Sequence, residues 1–194
     1  MYENNIEVIT DAEAIGRFRS ITEAQMFEIE HWSLEQAKLG SAAEKPLARQ
    51  VVAITGAGGA IGRATAVAFR NAGAEVALLD LDAKAVTETA ARLGGLAVRC
   101  DVTQASDMKR AFADICERYG GVDILVSNAG AAWQGRIGDV TEAELRASFE
   151  LNFFAHQRVA QAAVDIMRAQ GTGGVLLFNA SKQAVNPGRD FGPY

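Results

Sequence analysis

The chain has 194 residues, a length that allows one domain with a sizeable core, or one domain and an appendage. Its net charge of -5 argues against nucleic acid or an anionic membrane surface as the main partner, and no apolar run approaches the roughly 20 residues that span a bilayer. The two cysteines fit neither a metal site nor a disulfide framework, and the first residues lack a secretory signal. We therefore expect a soluble, cytoplasmic protein without a bound metal.

The first segment, residues 1–48, is polar and helix-prone, and the composition of the chain changes near Pro46. The segment is too short and too polar to hold a core of its own, and Gly40 and Pro46 are typical helix-stop residues. We predict one or two helices that pack on a neighbour, as an N-terminal extension or an interdomain linker. Its apolar positions are Phe18, Ile21, Phe27, Ile29, Trp32, Leu34 and Leu39.

From residue 49 onward, apolar strand-like runs alternate with helical periods. The predicted strands are Val51–Thr55, Glu75–Asp80, Leu96–Cys100, Val122–Ser127 and Gly174–Asn179. The predicted helices are residues 61–72, 83–93, 104–119 and 141–170, the last of them beginning at the capping box Thr141–Glu144. Apolar strands separated by helices indicate a parallel sheet covered on both faces. With right-handed crossovers this gives an α/β, doubly wound three-layer sandwich, a Rossmann fold, over residues 49–194.

A glycine-rich turn joins the first strand directly to a helix, with the sequence Thr55-Gly56-Ala57-Gly58-Gly59-Ala60-Ile61-Gly62. Glycine lets such a backbone bend tightly and approach a pyrophosphate, whose charge is stabilised by the amides at the helix N-terminus. The turn is not a Walker A loop, because Arg63 follows Gly62 and the Gly-Lys-Ser/Thr ending is missing. The alternative is a turn that serves helix packing alone.

An acidic residue, Asp80, ends the second strand 18 residues after Gly62. At that position a carboxylate can accept hydrogen bonds from the adenosine ribose hydroxyls, and it would repel a 2′-phosphate. NAD is therefore favoured over NADP. Asp82 is the competing candidate, although its place just before Ala83 suits a helix N-cap.

The order and spacing of the motifs resemble those of the short-chain dehydrogenase/reductase family, over roughly residues 49–194. The turn departs from the family pattern at Ala60, where a glycine is usual, and three of its glycines also fit the longer epimerase-type members. The resemblance implies NAD as the cofactor. It assigns cofactor binding to the turn residues Thr55, Gly56, Gly58, Gly59, Ala60, Ile61 and Gly62.

Three further elements are similar to family motifs. Asp101 and Val102 follow the third strand, where the family's aspartate contacts adenine and the next residue packs beside it. Asp101 could instead be only a turn or cap residue. Asn128-Ala129-Gly130 matches the element that lies under the cofactor riboses. Asn152 falls where the family has an asparagine that bends the long helix and holds a water in a proton relay.

The fifth strand leads to Ser181, and Tyr194 follows 13 residues later, which is the family's serine-to-tyrosine spacing. The resemblance implies that Tyr194 is the general acid/base on the substrate oxygen and that Ser181 hydrogen-bonds that oxygen. The family's lysine, four residues after the tyrosine, falls beyond the end of this sequence. We therefore expect an incomplete C-terminus, a chain that is inactive alone, and loose packing of residues 182–194.

The implied function is hydride transfer between a small alcohol and its aldehyde or ketone, by an intact protein that forms a homodimer or tetramer. Two alternatives stay open. One is a nucleotide-binding fragment without turnover, and the other is an NAD-dependent epimerase, which the Ser181-to-Tyr194 spacing disfavours. The substrate cannot be identified from the sequence.

The front of the chain resembles a linker found in two-domain bacterial proteins. The segment Phe27–Lys38 is similar to the connection between a class II sugar-phosphate aldolase of the rhamnulose-phosphate type and a short-chain dehydrogenase. This resemblance implies an aldolase domain in the same full-length chain. His31 lies in the segment, and we interpret it as a packing or surface residue rather than a ligand.

Overall fold

The computed structural model describes residues 2–30 and 44–194, in two units, Met1–Glu44 and Lys45–Tyr194. Two helices form in the first unit, α1 (Tyr2–Ile15) and α2 (Glu23–Glu30). Several large apolar side chains of these helices are exposed, among them Ile6 and Ile15, the latter at 93%. His31, Trp32, Leu34, Leu39 and Gly40 lie outside the described residues.

The second unit is built on five parallel strands, and the prediction of a doubly wound Rossmann sandwich is confirmed. The strands stand in the spatial order β3-β2-β1-β4-β5. The chain crosses from one half of the sheet to the other between β3 and β4, so β1 and β4 are neighbours and a crevice opens between their ends. The strands are β1 (Val51–Thr55), β2 (Glu75–Asp80), β3 (Leu96–Arg99), β4 (Ile124–Ser127) and β5 (Val175–Phe178).

Helices connect the strands, and local signals define their starts. They are α3 (Ala60–Asn71), α4 (Ala83–Leu93), α5 (Ala105–Tyr119), α6 (Glu142–Phe149) and α7 (Ala155–Gln170). The carboxylate of Asp82 accepts hydrogen bonds from the second and third amides of α4, so the predicted N-cap is present. The capping box of Thr141 and Glu144 is also present, and the hydrogen bonds from Thr141 lower the pKa of Glu144 below its ordinary value.

The core lies in two layers, one on each face of the sheet. Alternate residues of a strand point to opposite faces, so Ala53 and Leu79 pack on one side and Ile54 and Leu78 on the other. The first layer is completed by α5 and α7, and the second by α3 and α4. Side chains of the helices that fill these layers are Phe112, Ile115 and Val159 on the first side and Ala66, Val86 and Ala90 on the second.

The predicted helix over 141–170 is interrupted. A π-helical turn, Glu150–Phe154, separates α6 from α7, and Asn152 lies in it. Such wide turns inside a helix are rare and occur mostly at functional sites. The helix is thus interrupted at the position where the resemblance implies a bend, and the role of Asn152 in a proton relay stays a prediction.

Within the described residues, no helix is both long and apolar enough to cross a membrane. No group of three or more His, Cys, Asp or Glu side chains there could hold a metal ion. Both cysteines are free thiols. The pKa of Cys100 is raised to about 11, mainly because the thiol is buried and secondly because the carboxylate of Asp107 is close to it. Cys100 is therefore a packing residue rather than a nucleophile.

Candidate active site

An open cleft of about 1720 Å³ lies where the ends of β1, β2, β4 and β5 meet. This volume exceeds the roughly 300–1,000 Å³ of common small-molecule pockets, so it has room for an extended ligand. Most of the site residues predicted from the sequence line this one cleft. They are Gly56, Gly58, Gly59, Ala60, Ile61, Gly62, Asp80, Asn128, Ala129, Gly130, Asn152, Ser181 and Tyr194.

The glycine turn is packed so closely that larger residues do not fit. Gly56 has a φ of +65°, and a Cβ there would lie 2.9 Å from the Cα of Ala129. A Cβ on Gly62 would overlap the carbonyl oxygen of Gly56 and lie 2.7 Å from the Cα of Ala57. The first turn of α3 therefore packs closely against the loop. Its N-cap residue, Gly59, has no side chain that could accept hydrogen bonds from the first amides of the helix. These amides remain available to an anion in the cleft.

Asp80 faces this turn from the end of β2. Its Oδ2 accepts a hydrogen bond from the backbone N–H of Gly58 at 2.8 Å, and its Oδ1 accepts one from the N–H of Asp82 at 2.9 Å. Asp82 also borders the cleft, but one of its carboxylate oxygens accepts the two cap bonds of α4. Asp80 is thus the carboxylate that is bonded to the glycine turn.

Thr55 is buried behind the turn, with 1% of its surface exposed, and does not line the cleft. Its Oγ1 accepts hydrogen bonds from the backbone N–H groups of Asn128 and Ala129, at 2.9 and 3.0 Å. The side chain of Asn128 in turn donates to the carbonyl oxygens of Thr55 and Gly56, and accepts from Asn179. Thr55 therefore holds the loops after β1 and β4 together, rather than facing a ligand.

Asp101 and Val102 are likewise outside the lining residues of the cleft. Oδ1 of Asp101 accepts hydrogen bonds from the backbone N–H and the hydroxyl of Thr103, at 2.9 and 2.7 Å. Val102 is 7% exposed. These contacts are typical of a turn residue, which was the alternative interpretation of Asp101. The contact between Asp101 and adenine stays a prediction.

The three predicted catalytic residues come from different elements. Asn152 binds the backbone of Ala131 twice, through its Oδ1 at 3.2 Å and its Nδ2 at 2.9 Å, and Nδ2 also donates to Ser148. Ser181 follows β5, and its Oγ accepts from the N–H of Gln183 at 3.2 Å. Tyr194 is 40% exposed and borders the same cleft.

The segment that carries Tyr194 pairs with the loop after β4. The backbone N–H of Gly135 donates to the backbone carbonyl of Asp190 at 2.8 Å, and the N–H of Gly192 donates to the carbonyl of Gly135 at 3.0 Å. Arg136 and Asp190 add an exposed ion pair at 3.8 Å. The last part of residues 182–194 therefore has long-range backbone contacts, and the loose packing expected for this segment stays a prediction.

Four charged or titratable residues of the cleft were not assigned from the sequence: Arg63, His156, Asp165 and Arg168. The Nε of Arg63 donates to the carbonyl of Gly58 at 2.6 Å, and His156 lies on α7. Arg63 and His156 could have been found by position, because Arg63 directly follows Gly62 and His156 lies four residues after Asn152.

A comparison with protein families decides the membership of the chain. The family model for short chain dehydrogenase matches residues 50–194. The chain belongs to the short-chain dehydrogenase family. A second family model, for the second domain of class II aldolases, matches residues 1–39.

Two relatives of this short-chain dehydrogenase are, by name, a dehydrogenase and an oxidoreductase. The 7alpha-hydroxysteroid dehydrogenase of Escherichia coli K12 is 39% identical over 139 residues, which are 69% of this chain and 53% of that protein. The uncharacterized oxidoreductase YuxG of Bacillus subtilis is 32% identical over 202 residues, which cover 100% of this chain and 29% of YuxG. The chain thus spans about half the length of the first relative and less than a third of the second.

Solved structures show the same fold. The structure of a 7 alpha-hydroxysteroid dehydrogenase with NADH and 7-oxo glycochenodeoxycholic acid has a TM-score of 0.72 and 33% identity, covering 78% of this chain and 60% of that one. A 3-ketoacyl-(acyl-carrier-protein) reductase from Brucella melitensis with NADH has a TM-score of 0.72 and 27% identity, with 76% and 64% covered.

Proposed function

We propose that this chain is the cofactor-binding and catalytic part of an NAD-dependent oxidoreductase that interconverts a small alcohol and its aldehyde or ketone. One observation carries the proposal: the glycine turn, Asp80, Ser181 and Tyr194 border a single cleft. The two related structures contain NADH, which supports a nicotinamide cofactor.

The cleft fits a dinucleotide. The uncapped amides at the start of α3 would hold the pyrophosphate, and Asp80 would accept hydrogen bonds from the ribose hydroxyls. Asp80 disfavours a 2′-phosphate through charge repulsion, so the proposal names NAD. Asn128, Ala129 and Gly130 would support the riboses from below. When bound, the nicotinamide ring supplies or receives the hydride.

The remaining groups handle the substrate oxygen and its proton. Ser181 accepts a hydrogen bond from Gln183, which leaves its own hydroxyl hydrogen to donate to that oxygen. Tyr194 would take the alcohol proton during oxidation and return it during reduction. Asn152 donates both amide hydrogens within the protein, so a water in a proton relay could use only the remaining lone pair of Oδ1 or the backbone carbonyl.

The test uses the complete protein that contains this chain. NADH and NADPH binding is measured first, followed by oxidation of a panel of small alcohols and reduction of small aldehydes, lactaldehyde included. We expect tighter NADH binding and turnover that Ser181→Ala and Tyr194→Phe lower by about 10²-fold or more, the scale of a lost acid-base group. NADH binding without turnover of any alcohol or carbonyl would favour a nucleotide-binding module instead, and epimerised products would favour the epimerase.

A second function is proposed for the same polypeptide, because residues 1–39 match the class II aldolase model. We propose that an aldolase domain of the complete protein covers the apolar side chains of α1 and α2, such as Ile6, Ile15 and Ile29. The aldolase function is tested by assaying the complete protein for retro-aldol cleavage of a sugar phosphate. If Ile15→Asp does not destabilise the complete protein, the packing role is refuted.

A further inference from the structure

A serine beneath the cleft and a histidine on its wall have no part in the proposed chemistry. Ser127 ends β4 and is 1% exposed, and its Oγ lies 2.7 Å from Nδ1 of His156 on α7. A buried hydroxyl and a half-buried imidazole are costly unless they are hydrogen-bonded, so the pair stays bonded in the folded protein. The pair joins two elements that are 29 residues apart in the chain.

The imidazole contacts two uncharged side chains. Phe178 of β5 lies against the ring with a centroid distance of 6.3 Å, and Ser127 contacts it from β4. Burial lowers the pKa of His156, and a hydrogen bond to the backbone of Ala129 offsets part of that effect. The ring is therefore neutral near pH 7, with one donor and one acceptor nitrogen.

The pair acts on the loop that follows β4. Ser127 directly precedes Asn128, so its bond to His156 ties α7 to the start of this loop. Thr55 holds the start of the same loop, and Asn152 holds its end at Ala131. The loop after β4 is thus fixed from β1, from the π-helical turn and from α7.

We propose that Ser127 and His156 are positioning residues of the cofactor cleft, which hold the loop Asn128–Ala131 at the place where it supports the bound dinucleotide. The inference rests on the proposed cofactor role of that loop. Neither side chain is assigned contact with the substrate. Loss of the pair loosens the loop, so the cofactor must order it on binding and affinity falls.

The test compares variants in the complete protein by NADH fluorescence titration, with thermal unfolding measured without NADH. We expect Ser127→Ala and His156→Leu each to raise the Kd of NADH about tenfold. The double variant should be little worse than either single variant, because both remove the same bond. His156→Asn places an amide near the position of Nδ1 and should keep the Kd within about threefold of the unchanged protein. Thr87→Ala, which removes a hydroxyl bonded within the exposed face of α4, is the matched control and should leave the Kd unchanged.

Each outcome is decisive. An unchanged Kd in both Ser127→Ala and His156→Leu would overturn the positioning role, as would an equal loss in His156→Asn and His156→Leu. If His156→Leu does not fold, Ser127→Ala and His156→Asn still test the bond. Failure of the unchanged protein to bind NADH would contradict the proposed function, which separates that result from failure of the positioning role.

Discussion

The carboxylate of Asp80 accepts the backbone N–H of Gly58 at 2.8 Å, which ties the end of β2 to the glycine turn that follows β1. Its other oxygen accepts the N–H of Asp82 at 2.9 Å. The carboxylate of Asp80 therefore has two effects on the cleft. It fixes the conformation of the turn, and it places a negative charge on the wall of the cleft.

Replacement of Asp80 should change cofactor preference. The charge should favour NADH over NADPH by at least about tenfold, or ~1.4 kcal/mol. Asp80→Asn keeps the size of the side chain and removes the charge, so we expect most of that preference to disappear in calorimetric titrations with both cofactors. Glu88→Gln, on the exposed surface of α4, is the matched control and should keep the preference. Equal affinities in the unchanged protein would refute the role of Asp80.

Gly62→Ala should distort the turn. The added Cβ would overlap the carbonyl oxygen of Gly56, and relief of such overpacking typically costs about 1–3 kcal/mol. We expect a lower free energy of unfolding in urea, and weaker NADH binding because the turn moves. Gly138→Ala is the control, since a Cβ there has no neighbour within 4 Å. Similar stabilities of the two variants would contradict the packing described here.

Asn152→Ala removes three hydrogen bonds, to the N–H and carbonyl of Ala131 and to Ser148. A net loss of about 1–3 kcal/mol in the free energy of unfolding is expected, because the partners lose their bonds with it. Amide hydrogen exchange at Ala131 should also speed up. The control is Asn71→Ala at the exposed end of α3. Unchanged exchange at Ala131 would show that the contact with Asn152 does not hold the loop.

Acid should destabilise the fold through His156. Its pKa is lowered in the folded state by burial, so the unfolded chain binds the proton first as the pH falls below about 6.5. The free energy of unfolding should therefore be highest above that pH and should decline as the pH drops through the lowered pKa of the folded state. His156→Asn should flatten this part of the profile, measured by urea unfolding across the range. The carboxyl groups with lowered pKa, Asp107 and Glu144, act at more acidic pH and serve as an internal reference.

Features that depend on residues close together in the chain could be predicted from the sequence. The N-cap Asp82 and the capping box of Thr141 and Glu144 join groups at most three residues apart, so their signals lie in short stretches of sequence. The five strands were predicted within two residues of their observed ends, because buried parallel strands are apolar throughout. The fold class and the cleft follow from these elements and the glycine turn.

The roles of residues whose partners are distant in the chain could be assigned only from the folded structure. Thr55 bonds to residues 73 and 74 positions away, Asn152 to Ala131 across 21, and Ser127 to His156 across 29. A sequence pattern shows that a polar residue is present, but not whether its hydrogen bonds go to a ligand or to another loop. That choice depends on which loops the sheet order brings together, since each buried polar group must find a partner among its spatial neighbours.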